Sequence, residues 1–88
     1  MFITIKSASL LRKVGSFLSL KDTNYFIIHN SLNVSIFVEV NGQIVRILPD
    51  HFSTIRVFKS ENVSIHRADD YSNGTNVKVN RMDTISVL

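Results

Sequence analysis

The chain has 88 residues, carries ten Lys/Arg against seven Asp/Glu for a formal charge of +3, and contains no cysteine. That length allows one domain with one modest core, and the cysteine count excludes a disulfide framework, a thiolate metal site and a cysteine nucleophile. A hydrophobic share of 44% beside only 19% charged residues lies outside the range of disordered chains.

The apolar fraction is unusually rich in β-branched residues. Ten Ile, ten Val and five Thr stand against two Ala and two Glu. Branched side chains suit a pleated, half-buried surface, while the best helix formers are almost missing. The chain therefore reads as a single all-β domain over residues 1–88. Phe2 to Lys6 reads as an opening strand. From Ser7 to Leu20 the pattern fits two periods, and we read a short helical turn or loop at 8–12 followed by a strand at about 16–20. Tyr25 to His29 is a short apolar run closed by the turn-forming stretch Asn30-Ser31-Leu32-Asn33.

The clearest local signal follows. Val34, Ile36, Val38 and Val40 alternate with Ser35, Phe37 and Glu39, and Asn41-Gly42 comes next. That dipeptide favours a type I′ hairpin turn because both central residues need positive φ. A two-residue turn sets Val40 opposite Gln43, Val38 opposite Val45 and Ile36 opposite Ile47, making one face of a 34–48 hairpin almost wholly β-branched. The other face then pairs Phe37 with Arg46 and Glu39 with Ile44. Pro49-Asp50 marks a turn. Ser53 to Phe58 alternates with Ile55 and Val57 inward, and Val63, Ile65 and Arg67 alternate with Asn62, Ser64 and His66. Ala68 to Thr75 has the composition of an exposed loop. Val77 and Val79, then Ile85 and Val87, suggest two closing strands around a turn near Met82-Asp83. Seven or eight short strands at this spacing predict an antiparallel β-sandwich, with a small barrel as the alternative.

Chemistry-bearing motifs are sparse. The three histidines, His29, His51 and His66, show no ligand spacing. His66 with Asp69 and Asp70 is the nearest approach to a metal site, and a metal-dependent enzyme built on them ranks third among the readings. The run from Asp69 to Asn80 fails as a calcium loop, since Tyr71 takes a ligand position and Asn80 stands where a bidentate Glu belongs. There is no G-x-S-x-G elbow and no glycine-rich phosphate loop. The expectation is no catalytic residue, no metal, no cofactor and no small-molecule substrate. Three N-x-S/T sequons, at Asn33, Asn62 and Asn73, are what eight Asn and sixteen Ser/Thr would give by chance.

No run approaches the roughly 18 apolar residues of a membrane-spanning helix, so no membrane partner is expected. Lys6, Arg12 and Lys13 interrupt any signal-peptide core, which points to synthesis and retention in a cytoplasm. What remains is the surface. With the hairpin's branched face inward, Phe37, Ile44, Leu48, Phe58 and Leu88 point outward, together with Arg46, Arg56 and Lys78. So many large apolar groups on an outer face expect a covering layer, either the 7–20 segment or another subunit. Phe37, Ile44, Arg46, Leu48, Arg56 and Phe58 are accordingly the candidate interface residues. The second reading takes Phe37, Arg46, Arg56, Phe58 and Lys78 as a stacking and phosphate-contacting platform for single-stranded nucleic acid.

From Phe26 to Arg67 the order is an apolar strand ending in Asn30-Ser31, the hairpin strand Ile36 to Gly42, then Ile47-Leu48-Pro49, then Ser53, Ile55 and Val57, and a strand at Val63 to Ile65. This resembles the small β-sandwich accessory proteins of tailed-bacteriophage virions, in which a strand ending at an Asn-Gly turn precedes an L-P-x-x-S-like step. The usual glycine after the proline is here Asp50. The resemblance implies a non-enzymatic structural role in capsid decoration or in head, neck or tail assembly. Its partners would be other virion proteins and copies of itself, and its location the virion after synthesis in the host cytoplasm.

Overall fold

A computed structural model of the chain describes residues 1–7 and 24–88. Among these there is no helix, and eight strands form two four-stranded sheets: β1 (Ile3–Lys6), β2 (Tyr25–Asn30), β3 (Ile36–Val40), β4 (Gln43–Ile47), β5 (Phe52–Arg56), β6 (Glu61–Arg67), β7 (Asp70–Val79) and β8 (Thr84–Val87). Sheet A has the order β1-β8-β2-β5 and sheet B the order β4-β3-β6-β7. The predicted sandwich is thus the fold. The reading of 8–12 and 16–20 lies outside the described residues.

The period of two in the sequence decides which face each strand buries. On β2, Phe26, Ile28 and Asn30 are buried; on β3, Ile36, Val38 and Val40. Val63 and Ile65 of β6, Val79 of β7, and Ile85 and Val87 of β8 join them, with Ile47, Ile55 and Val57 completing the cluster. Each fully buried side chain of this size contributes roughly 1.5–3 kcal/mol relative to exposure.

The β3–β4 hairpin has the predicted register, with Ile36 opposite Ile47, Val38 opposite Val45, Val40 opposite Gln43, and Phe37–Arg46 and Glu39–Ile44 on the outer face. Asn41 at φ 51° and Gly42 at φ 77° give the left-handed pair that a type I′ turn needs.

Three expectations are corrected. Ala68 to Thr75 is not a loop. Only Ala68 and Asp69 turn, and β7 starts at Asp70, pairing Ser64 with Asn76, Ile65 with Thr75 and His66 with Gly74. The polar composition there reflects an edge strand that water reaches, which needs no alternation to be held by its ladder. Second, β7 and β8 are not a closing hairpin. β7 is the edge of sheet B, whereas β8 lies inside sheet A, so residues 80–83 cross between the sheets. The crossing is fixed by Met82 in the left-handed region at φ 67° and by Asp83, whose Oδ2 accepts the Asn80 N–H at 2.8 Å. Third, the sheets are not wholly antiparallel. β8 enters alongside β2 in the same direction, Ile27 opposite Thr84 and Asn30 opposite Val87, so sheet A is mixed.

One buried polar group ties the two sheets. The fully buried Asn30 donates from Nδ2 to the carbonyls of Val34 (2.8 Å), Ile47 (3.1 Å) and Leu48 (3.2 Å), and its Oδ1 accepts the Leu32 N–H at 3.0 Å. The last strand turn of β2 is thereby fastened to the end of β4 in the other sheet.

Candidate assembly surfaces

The six candidate interface residues fall on two surfaces. Ile44 and Arg46 project from the outer face of β4, and Phe37 from that of β3; Leu48 follows β4 and is exposed. Arg56 ends β5 in sheet A, and Phe58 lies in the connection to β6. The Arg56 guanidinium stands 5.7 Å from the centre of the Phe58 ring, a cation–π contact in the open. Lys78 is on β7 opposite Asn62, so the platform drawn for nucleic acid is divided between the two sheets.

On sheet B, one row of the ladder runs Arg46, Phe37, His66, Gly74. Tyr71 caps it. Its ring stacks on His66 at 4.6 Å and 14° and meets Phe37 edge-on at 5.5 Å and 68°. The Tyr71 carbonyl accepts from His66 Nδ1 at 2.8 Å. Gly74 makes room: a Cβ there would stand 2.3 Å from His66 Cε1. His66 is thus a packing element of the outer face.

The residues of the metal reading are dispersed into separate bonds. Asp69 accepts two hydrogen bonds from Arg67, at 2.8 and 2.9 Å. The Arg67 hydrogen bond, outweighing the opposing effect of burial and helped to a lesser degree by the Arg67 charge, holds the Asp69 carboxyl below its usual range, and the same bond raises Arg67. Asp70 is held by the Asn73 amide at 3.1 Å. No group of three or more His, Asp or Glu among the described residues is placed to hold a metal ion.

Sequence reasoning missed a cluster around His29. With Nε2 protonated, His29 donates to Asp50 Oδ1 at 2.9 Å, accepts from Ser31 Oγ at 3.0 Å on Nδ1, and stacks on Phe52 at 4.1 Å and 16°. Serine, histidine and aspartate are connected as a nucleophile, base and orienting carboxylate would be. Here, however, the Asp50 side chain is 88% exposed, so water screens its charge. The cluster works as a clamp between β2 and the turn from Leu48 to His51. In that turn the His51 N–H reaches the Leu48 carbonyl at 3.2 Å, and Asp50 stands at φ 56°, the conformation glycine would supply.

Phe52 and Phe2 also went unmarked as surface residues. The signal for Phe52 was present, since it shares parity with Arg56 once the strand is extended one residue back to 52. Phe2 exchanges both backbone hydrogen bonds with Leu88, at 2.9 and 2.7 Å, which places both side chains on the outer face beside Thr4 and Ser86. No family model, no curated protein and no solved structure matches this chain.

Proposed function

We propose that this chain is a non-enzymatic structural component of a virus particle, of the kind its sequence resembles among the accessory proteins of tailed-bacteriophage virions, and that it assembles through protein–protein contacts. One observation carries the assembly reading. While Phe26, Ile28, Ile36, Ile65 and Ile85 are fully buried, Phe2, Phe52 and Phe58 stay 74%, 67% and 66% exposed, with Ile44, Leu48 and Leu88 also in water. Exposed large apolar groups in this number mark surfaces that another protein covers. The virion setting is supported by the resemblance over residues 26–67, which spans β2 to β6.

In this reading Phe37, Ile44, Arg46 and Leu48 serve one contact and Arg56 with Phe58 another, the arginines meeting acidic neighbours and fixing orientation. Nucleic acid as the partner is less well supported, because Phe37, Arg46 and Lys78 lie on sheet B and Arg56 on sheet A. The test is size exclusion with light scattering at about 50 and 500 mM salt, with and without a single strand of about 20 nucleotides. Assembly predicts a discrete multimer, or capture of a partner protein, at both salts and indifferent to the strand. Co-elution with the strand at low salt alone overturns it.

A further inference from the structure

Two asparagines of this chain are followed by glycine, Asn41 and Asn73. An asparagine in that setting can react with its own backbone. The amide nitrogen of the next residue attacks the side-chain carbon Cγ, and glycine has no side chain to obstruct it. The N–Cγ bond forms, the Cγ–Nδ2 bond breaks, ammonia leaves with the amide proton, and a cyclic succinimide remains. Water then opens the ring at either carbonyl. One opening gives aspartate; the other breaks the original peptide bond and gives isoaspartate, with the main chain running through the side-chain carbon. The reaction needs only water and a trace of hydroxide. In a folded chain its rate depends on whether the backbone can bring the nitrogen round to Cγ.

At Asn41 it can. In the type I′ turn, with Asn41 at φ 51° and ψ at about +30°, the Gly42 nitrogen points away from the side chain. Turning over the one peptide unit between the two residues converts type I′ into type II′. The first residue keeps its positive φ and takes ψ at about −120°, which eclipses the Cα–Cβ bond with the bond to the next nitrogen and brings that nitrogen against Cγ. Type II′ is the other favoured two-residue hairpin turn, so the Val40–Gln43 pair and the β3–β4 register survive the flip. Gly42 accepts either sign of φ, and nothing lies within 4 Å of the space beside its Cα. Both turn residues are exposed to water. Among the described residues, no hydrogen bond holds the Asn41 side chain.

At Asn73 the same step is opposed by tertiary contacts. The Asn73 amide donates to both carboxyl oxygens of Asp70 at 3.1 Å, which fixes the side chain that must swing toward Gly74. Gly74 is paired opposite His66 in the β6–β7 ladder. The His66 ring lies directly over it, with Cε1 2.3 Å from where a Cβ would stand, and is itself stacked on Tyr71. Rotating the Asn73–Gly74 peptide would disturb all of these.

We propose that Asn41 is the site of spontaneous deamidation in this chain, reached by a flip of the Asn41–Gly42 peptide, and that Asn73 is protected by Asp70 and His66. The inference stands apart from the assembly reading. Each event replaces a neutral amide with a carboxylate and takes the formal charge from +3 to +2. Isoaspartate also adds one carbon to the main chain inside a turn whose two residues set Val40 against Gln43. The hairpin register that fixes Ile44 and Arg46 on the outer face is thereby loosened.

The test holds the full chain folded in mildly alkaline buffer and follows it by peptide mapping with mass spectrometry, beside a second sample in concentrated urea. In the folded sample the Asn41 peptide should gain one mass unit about tenfold or more faster than the Asn73 peptide, since Asn73 must first release its bonds to a carboxylate. The product should be a mixture of aspartate and isoaspartate, the mark of the cyclic route. In urea the two rates should converge. Asp70→Ala should speed the reaction at Asn73 and leave Asn41 unchanged, whereas general unfolding would move both sites toward their rates in urea. The isoaspartyl fraction, separated by ion exchange, should unfold at a lower urea midpoint than the parent.

Equal rates in the folded chain, an Asn41 that reacts only in urea, or aspartate as the sole product overturns the flip. An Asn73 rate indifferent to Asp70→Ala overturns the protection by Asp70, and an isoaspartyl form as stable as the parent overturns the loosening of the hairpin.

Discussion

Removing the Asn30 side chain tests the account of how the two sheets are joined. Asn30→Leu keeps the volume and loses the polar partners of the Val34, Ile47 and Leu48 carbonyls and of the Leu32 N–H. Leu48 O keeps the His51 N–H, and the Val34 and Leu32 groups lie near enough to water to recover part of the loss. Ile47 is buried, but its carbonyl keeps the Ile36 N–H of the β3–β4 ladder. Four lost bonds at about 1 kcal/mol each, less a small gain from the apolar side chain, give a net loss of about 3 kcal/mol. That is a quarter or more of the roughly 4–13 kcal/mol expected for a chain this size. The melting temperature should fall by about 12–24 °C. Urea unfolding should show the same loss as a lower midpoint at unchanged slope. Asn30→Asp should be worse at pH 7, since a buried carboxylate would face carbonyl oxygens. Its folded-state pKa would be raised above the unfolded value, so this variant should gain stability as the pH is lowered through that raised value. A loss below about 1 kcal/mol for Asn30→Leu, or an Asn30→Asp variant indifferent to pH, would refute the tie.

Other outcomes follow from single contacts. Gly74→Ala sets a methyl 2.3 Å from His66 Cε1 and should lose about 1–3 kcal/mol by displacing the His66–Tyr71 stack. The Gly74→Ala, His66→Ala double variant should lose less than the sum, read from a double-mutant cycle of urea unfolding. Gly42→Ala meets nothing within 4 Å, so its loss should come from φ 77° alone, about 1–2 kcal/mol, with no change in oligomeric state. The Arg67–Asp69 pair, whose carboxyl titrates below its ordinary value, should add its stability above the unfolded-state pKa and lose it as pH falls through the lower folded one. Asp69→Asn should flatten that acid limb in a pH series of unfolding midpoints, and about 1 M salt should shrink it.

The parts of the fold that could be read from the sequence are those in which neighbours in the chain are neighbours in space. The Asn41-Gly42 turn and the β-branched alternation around it fix each other, so the β3–β4 register followed from one dipeptide and two runs of valine and isoleucine. Parity likewise told inside from outside at Ile55, Val57, Val63 and Ile65. It failed at Asp70 to Thr75, because an exposed edge strand and a loop select the same polar residues. It also failed to assign strands to sheets. Arg56 and Arg46 have the same parity relative to their own cores, and nothing local says that they face opposite sides of a sandwich. The clamp of His29 on Asp50 and Ser31 joins residues 21 apart, and only the closing of the Leu48–His51 turn brings them together.

The place of β8 orders the formation of the molecule. Sheet B lies within residues 36–79, interrupted only by β5 of sheet A, and its longest pairing joins Ile36 to Arg67. Sheet A gathers strands from four separated stretches, and its second strand in space, β8, is its last in the chain. Until residues 84–87 insert between β1 and β2, neither of those strands has this neighbour, and Phe26 and Ile28 lack Ile85 and Val87 beside them. Loop closure over such distances is slow, so sheet A is the slower of the two to complete, and β1 and β2 stay unjoined until residues 84–87 have entered between them.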